Sequence, residues 1–169
     1  LALKRPDLAV KKATDQTIIW KDYKGQSWVD PGSAEVWAYM ADIGRMAHEV
    51  GFDELNYDYI RFPSDGDMND IYYPFSEGKI KTRVMGDFFS YLNAELSSTS
   101  AALSADLFGM TTTNADDLNV GQQLETALLY FDYVAPMVYP SHYPPNFNEY
   151  NNPAEKPYEV VKYSMDKAV

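Results

Sequence analysis

The stretch Phe52-Asp-Glu-Leu-Asn-Tyr-Asp-Tyr-Ile-Arg-Phe-Pro63 decides the fold class of this 169-residue chain. It follows Gly51, a helix-stop residue, and ends at a proline. With the two-residue repeat of a strand, Leu55, Tyr57 and Tyr59 fall on one face and Asn56, Asp58 and Ile60 on the other. The first face is apolar and aromatic; the second carries an amide and a carboxylate. A strand between helices and a barrel lumen has this division, with its inner face turning polar near the C-terminal end, where barrel active sites lie. Asp58 stands near that end and is the first catalytic candidate. The competing reading is an aspartate that caps a neighbouring loop.

Working outward, Ser33 opens a helix in which Val36, Met40, Ile43, Ala47 and Val50 recur at helical spacing. Residues 1–32 read as a loop and hairpin excursion, with Thr17 to Trp20 and Gln26 to Val29 flanking a Lys24-Gly25 turn. Trp28 there is a sugar platform or a loop anchor. Downstream, the acidic loop 63–70 places Asp65, Asp67 and Asn69 at the first three ligand positions of a calcium loop. The match then fails, with Asp70 where the glycine belongs and Ser76 where the bidentate glutamate belongs. No metal and no cofactor are expected.

A second helix is predicted over 79–96, with Val84, Phe88, Leu92 and Leu96 on one face. The next strand, over 102–109, repeats the parity of the first: Leu103, Ala105 and Leu107 against Ser104, Asp106 and Phe108. A second acid, Asp106, therefore lands on the polar face of a second strand. A third helix is predicted over 118–129 and a third strand over 132–139, weakened by Pro136. Pro157 opens a last helix.

Alternating helices and nearly buried strands specify a parallel α/β fold. No glycine-rich phosphate turn follows any strand, which argues against a dinucleotide fold. Acids clustered at strand ends favour a (β/α)8 TIM barrel, yet a full barrel takes about 250 residues. The chain is expected to be one domain holding three to four βα units of a larger barrel, with residues 33–169 supplying the αβ units. Open strand edges would then lead it to associate with a second copy or with the remainder of the barrel.

Composition narrows the partners. The chain is 46% hydrophobic and 15% aromatic, with fourteen tyrosines, enough for a sizeable core and for sugar-stacking surfaces. A net charge of -11 argues against nucleic acid and anionic membranes as partners. No apolar run is long enough to span a bilayer. There is no cysteine, hence no thiolate chemistry. With only His48 and His142, the latter alone near a strand end, a metal-dependent hydrolase is poorly supported.

The runs RPDLAVK (5–11), VWAYMADIGRMAHEVGF (36–52), GFDELNYDYIRFPSDGDMNDIYYP (51–74), TTNADDLNVGQQLE (112–125) and FDYVAPMVYPSHYPPNF (131–147) carry a resemblance across nearly the whole chain. Together they resemble a bacterial domain family of unknown function described as a "putative glycosyl hydrolase". The resemblance implies a TIM-barrel relative of glycoside hydrolases, an extracellular or cell-envelope location and a carbohydrate substrate. Two more distant likenesses bear on roles. Chitinase-type barrels end a strand in Asp-x-Asp-x-Glu and carry a later Met-x-Tyr. Here Asn56, Asp58 and Ile60 fall at the acidic positions, and Met137 and Tyr139 match the later strand. Ile60 thus replaces the catalytic glutamate. Asp58 is similar to the nucleophile of amylase-type barrels, where Asn56 replaces an arginine.

These readings leave a two-carboxylate glycosidase as the leading function, with Asp58 and Asp106 as the pair. Asp58 is expected to be the nucleophile or base, through hydrogen bonds from Asn56 and Tyr139, and Asp106 the acid. Asp65 is a reserve acid. Arg61, Asp65, His142, Tyr139 and Tyr143, with Asn56, are the candidate substrate contacts; Arg61 could equally make a structural salt bridge. The alternative is a non-catalytic carbohydrate-binding module on a degenerate barrel, with Tyr72, Tyr73, Tyr139 and Tyr143 as stacking surfaces.

Overall fold

The computed structural model describes residues 1–169. Three strands, β1 (Glu54–Tyr57), β2 (Ala102–Phe108) and β3 (Tyr133–Met137), lie side by side in chain order. β1 pairs parallel with β2, Leu55 beside Leu103 and Tyr57 beside Ala105. β2 pairs parallel with β3, Asp106 beside Ala135 and Phe108 beside Met137. Parallel neighbours need crossover connections. Helix α1 (Ala34–Glu49) leads into β1, α2 (Lys81–Leu96) joins β1 to β2, and the short α3 (Leu124–Ala127) lies between β2 and β3. The result is a partial (β/α)8 barrel, as the sequence predicts. α4 (Pro157–Lys167) opens on its proline.

The helices form where local signals place them. Ser33 caps α1 by accepting a hydrogen bond from the Val36 N–H. In α2 the predicted stripe of Val84, Phe88, Leu92 and Leu96 is buried, joined by Met85 and Phe89. Burying a side chain such as Phe89 or Leu92 contributes about 1.5–3 kcal/mol. The same core takes Leu55, Tyr57, Leu103, Ala105 and Leu107 from the sheet. α1 is turned from its predicted face. Val36, Ala41 and Gly44 are buried, whereas Ile43 and Val50 are exposed. Gly44 explains the turn: a Cβ there would run into the Tyr57 hydroxyl and Leu96. The helix approaches along its small residues, and the Tyr57 hydroxyl donates to the Met40 carbonyl at 3.3 Å.

Three expectations need correction. The first strand, whose alternation the sequence carries on through Tyr59 and Ile60, ends at Tyr57. Asp58 Oδ1 accepts the next backbone N–H, that of Tyr59, at 2.6 Å, and Tyr59 sits in the left-handed region at φ 55°. The parity then inverts: Tyr59 is exposed, and Ile60 is buried in the core instead of lying on the polar face. Ile60 is therefore no lumen substitute for a glutamate. The third helix, predicted over 118–129, shrinks to Leu124–Ala127. Leu118, Asn119 and Gly121 adopt positive φ, and the Asp117 carboxylate accepts the N–H groups of Asn119 and Gly121. That is turn chemistry competing with helix. In the N-terminal excursion Lys21 and Ser27 bridge around Gly25, but Ile19 bridges Lys11 and Val29 bridges Ala9. Residues 17–20 and 26–29 thus reach separate partners. β3 accommodates Pro136 because it lies at an edge of the sheet.

Candidate functional site

One face of the sheet carries a connected polar row. The Asn56 amide donates to Ser104 Oγ at 3.0 Å and to Asp106 Oδ1 at 3.3 Å. Ser104 Oγ in turn donates to Glu54 Oε1 at 2.6 Å. The ladder between β1 and β2 ends with Tyr57 beside Ala105; Asp58 follows as the first residue past β1, and Asp106 is the next residue of β2. No hydrogen bond joins these two carboxylates. The donors expected on Asp58 are elsewhere: Asn56 bonds Asp106, and Asp58 accepts the Tyr59 N–H. The hydrogen bonding thus removes the expected ground for casting Asp58, rather than Asp106, as nucleophile or base.

Beyond the strand ends lie two clefts that share Tyr59 and Arg61. One is bordered by Trp28, Trp37, Met40 and Asp58. The other is bordered by Phe108, Met110, Met137, Tyr139, His142 and Tyr143. Tyr139 and His142 thus meet Arg61 in a single cleft, whereas Asp58 borders its neighbour. The Tyr139 and His142 rings stand edge to face, 5.2 Å apart, and Tyr139 is 51% exposed, a usable stacking surface. Tyr143 is corrected. It is 5% exposed, its hydroxyl lies 2.9 Å from Ser164 Oγ, and its ring packs on Phe147 at 4.5 Å. It anchors α4 beneath the cleft and offers no open face to a sugar. Tyr73 is likewise buried in the core.

Arg61 makes no salt bridge. Its Nη1 donates to the Phe62 carbonyl and to Ser64 Oγ, and the rings of Trp28 and Tyr59 flank the guanidinium, each centroid 5.1 Å away. Burial pushes its pKa below the ordinary arginine value, against the opposing pull of Tyr59, Asp65 and Asp58. The acids of the calcium-like loop serve the backbone. Asp65 accepts from the Tyr23 N–H, Asp67 from that of Asn69 and Asp70 from that of Thr14. Asp65 borders neither cleft. His48 closes the end of α1 against the Phe52 carbonyl.

Sequence reasoning missed Glu54 and Tyr59 as site residues. Glu54 shares the parity of Asn56, a signal present in the opening stretch. Tyr59 owes its place to the left-handed turn, which period-two counting does not detect. A buried glutamine, Gln122, was missed as well. Its Nε2 donates to the Ile60 carbonyl at 3.1 Å and its Oε1 accepts the Phe108 N–H at 2.9 Å, tying the ends of β1 and β2 together.

A family model described as "Putative glycosyl hydrolase domain" matches residues 1–169. Among solved structures, a hypothetical protein from Ruminiclostridium thermocellum ATCC 27405 is 33% identical, with a TM-score of 0.53 over 62% of this chain. The chain spans 50% of the length of that protein. A catalytic domain of a group II chitinase from Ostrinia furnacalis aligns at 13% identity and a TM-score of 0.49, over 82% of this chain and 37% of its own. No curated protein matches the chain. No helix is long and apolar enough to cross a membrane.

Proposed function

The chain belongs to the family described as "Putative glycosyl hydrolase domain", and on that premise we propose that it contributes the carboxylates of a glycosidase acting on a polysaccharide or cell-envelope glycan. The observation that supports the reading is that Asp58, one residue past β1, and Asp106, in β2, both stand toward the C-terminal end of a parallel sheet, where Asn56, Ser104 and Asp106 form a hydrogen-bonded polar row. Barrel enzymes assemble their chemistry at that end. In the proposed reaction one carboxylic acid protonates the glycosidic oxygen as the bond to the anomeric carbon breaks. The other, ionised, attacks that carbon or draws a proton from the attacking water. Tyr139 and His142 supply the surface on which a sugar ring stacks beside the strand ends. An extracellular or envelope setting fits such a substrate.

The test is turnover of a glycan panel by the longest natural form of the protein, with Asp58→Asn and Asp106→Asn variants. Each substitution is expected to lower turnover at least ~10²-fold while the fold is retained. Near-normal turnover in both variants would sink the pair. Glycan binding without turnover by the natural protein would instead establish the non-catalytic sugar-binding module.

A further inference from the structure

Arg61 stands out among the cations of this molecule. Arg5, Arg45, Lys12 and Lys162 all sit against carboxylates within salt-bridge distance, at exposed or partly exposed positions. Arg61 is half-buried and has no carboxylate within 4.0 Å, although Asp58 and Asp65 lie near enough to influence its charge. A partly desolvated guanidinium without an anion is costly unless its donors are used. Only Nη1 is used, on the Phe62 carbonyl and Ser64 Oγ. The Nε–H and Nη2–H groups reach no carboxylate and no backbone carbonyl, and the Tyr59 hydroxyl is the one further side-chain group close enough to bond the guanidinium. The Nε–H and Nη2–H groups form one edge of the planar guanidinium, the edge that accepts a carboxylate through two parallel hydrogen bonds.

The surroundings hold that edge in place. The Trp28 and Tyr59 rings flank the guanidinium at 5.1 Å each, and Trp28 is itself fixed by its Nε1–H bond to Asp22 Oδ2 at 3.0 Å. Tyr59 reaches this position through a left-handed backbone at φ 55°, a conformation that disfavours a bulky residue. Arg61 also borders the cleft that holds Tyr139 and His142. A sugar ring stacked on Tyr139 therefore shares one cleft with Arg61.

We propose that this cleft is a subsite for an acidic sugar, in which Arg61 receives the carboxylate of a hexuronic acid residue while Tyr139 carries the ring. This rests on the reading of the chain as a glycan-processing domain and specifies its substrate class. The net charge of -11 bears on which acidic glycan fits. A dense polyuronate would meet that field along its length, whereas a single carboxylate at contact is governed by Arg61, since screening confines the field to about 8 Å at physiological salt. The substrate is thus a largely neutral glycan with isolated uronic acid residues.

The experiment compares binding of the full chain to one glucuronate-containing oligosaccharide preparation before and after chemical reduction of its carboxyl groups to the neutral hexose. The acidic form is expected to bind at least tenfold more tightly, with the ratio falling as salt is raised. In Arg61→Gln the ratio of acidic to neutral affinity should collapse to near one; in Arg61→Lys, which keeps the charge without the fork, it should fall between. A natural protein showing no preference for the acidic form, or a preference that survives in Arg61→Gln, overturns the proposal. If Arg61→Gln does not fold, the acidic-to-neutral ratio of the natural protein and its salt dependence decide alone. Turnover of neutral glycans without acidic preference removes this inference and leaves the glycosidase reading standing. Arg61-dependent preference without turnover of any glycan does the reverse.

Discussion

At the C-terminal end of β2 the strand alternation runs on through Asp106, Leu107 and Phe108, whereas at the C-terminal end of β1 it stops at Tyr57, with Asp58 just beyond it. The two ends carry the same pattern, an aspartate between apolar residues. In β2, Leu107 reaches the core without leaving the strand. In β1, Ile60 reaches the core only after the chain turns left-handed at Tyr59, and Gln122 then captures its carbonyl. An aspartate at a strand end can stay on the ladder or cap its own turn. The partners available to the residues after it decide which.

The largest effect should come from breaking the clamp that joins the two ends. Gln122→Ala leaves the Ile60 carbonyl and the Phe108 N–H without partners, and a loss of roughly 2–4 kcal/mol is expected from denaturant midpoints. A loss below ~0.5 kcal/mol would mean that the β1 turn stands without Gln122.

A somewhat smaller effect should appear in alkali, at the last ladder residue of β1. Burial pushes the Tyr57 hydroxyl up to about 12 from an ordinary 10.0. A raised folded-state value favours the neutral form, so this stabilisation is complete below pH 10 and lost as the pH climbs to about 12. It amounts to roughly 3 kcal/mol in full, given about 1.4 kcal/mol per unit, and about half of that is lost by pH 11. Buried Tyr73 shifts in the same direction, through burial and then the Asp30 charge, and adds to the same loss. Unfolding measured at pH 8 and pH 11 should show the decline, and Tyr57→Phe should remove part of it. An unchanged pH dependence in that variant would assign the decline to other groups.

The smallest effect should be Tyr59→Gly. Relief of the left-handed strain is set against the greater freedom of the unfolded chain and the lost ring contacts with Arg61 and Trp28, so stability should fall by no more than about 1 kcal/mol. Hydrogen exchange at Arg61 and Phe62 should still report β1 ending at Tyr57. A variant in which β1 extends through Arg61 would show that the tyrosine side chain, rather than the Gln122 clamp, forces the turn.

The sequence by itself determined the α/β class, the parallel order of the three strands, the buried stripe of α2, the Ser33 cap and the proline start of α4. Each depends on alternation or capping within a few neighbouring residues, which the chain carries wherever it goes. The helix predicted over 118–129 was shortened by local turn chemistry at Asp117. The tertiary structure alone decided how Ile60 is held off the polar face, that Asn56 serves Asp106, that Tyr143 is an anchor and that Arg61 is left without a carboxylate partner. Those outcomes rest on Gln122 meeting Ile60, Asn56 meeting Asp106, Tyr143 meeting Ser164 and Trp28 meeting Arg61. The partners lie tens of residues apart, and a local repeat carries no record of which distant donor reaches a given carbonyl, carboxylate or ring.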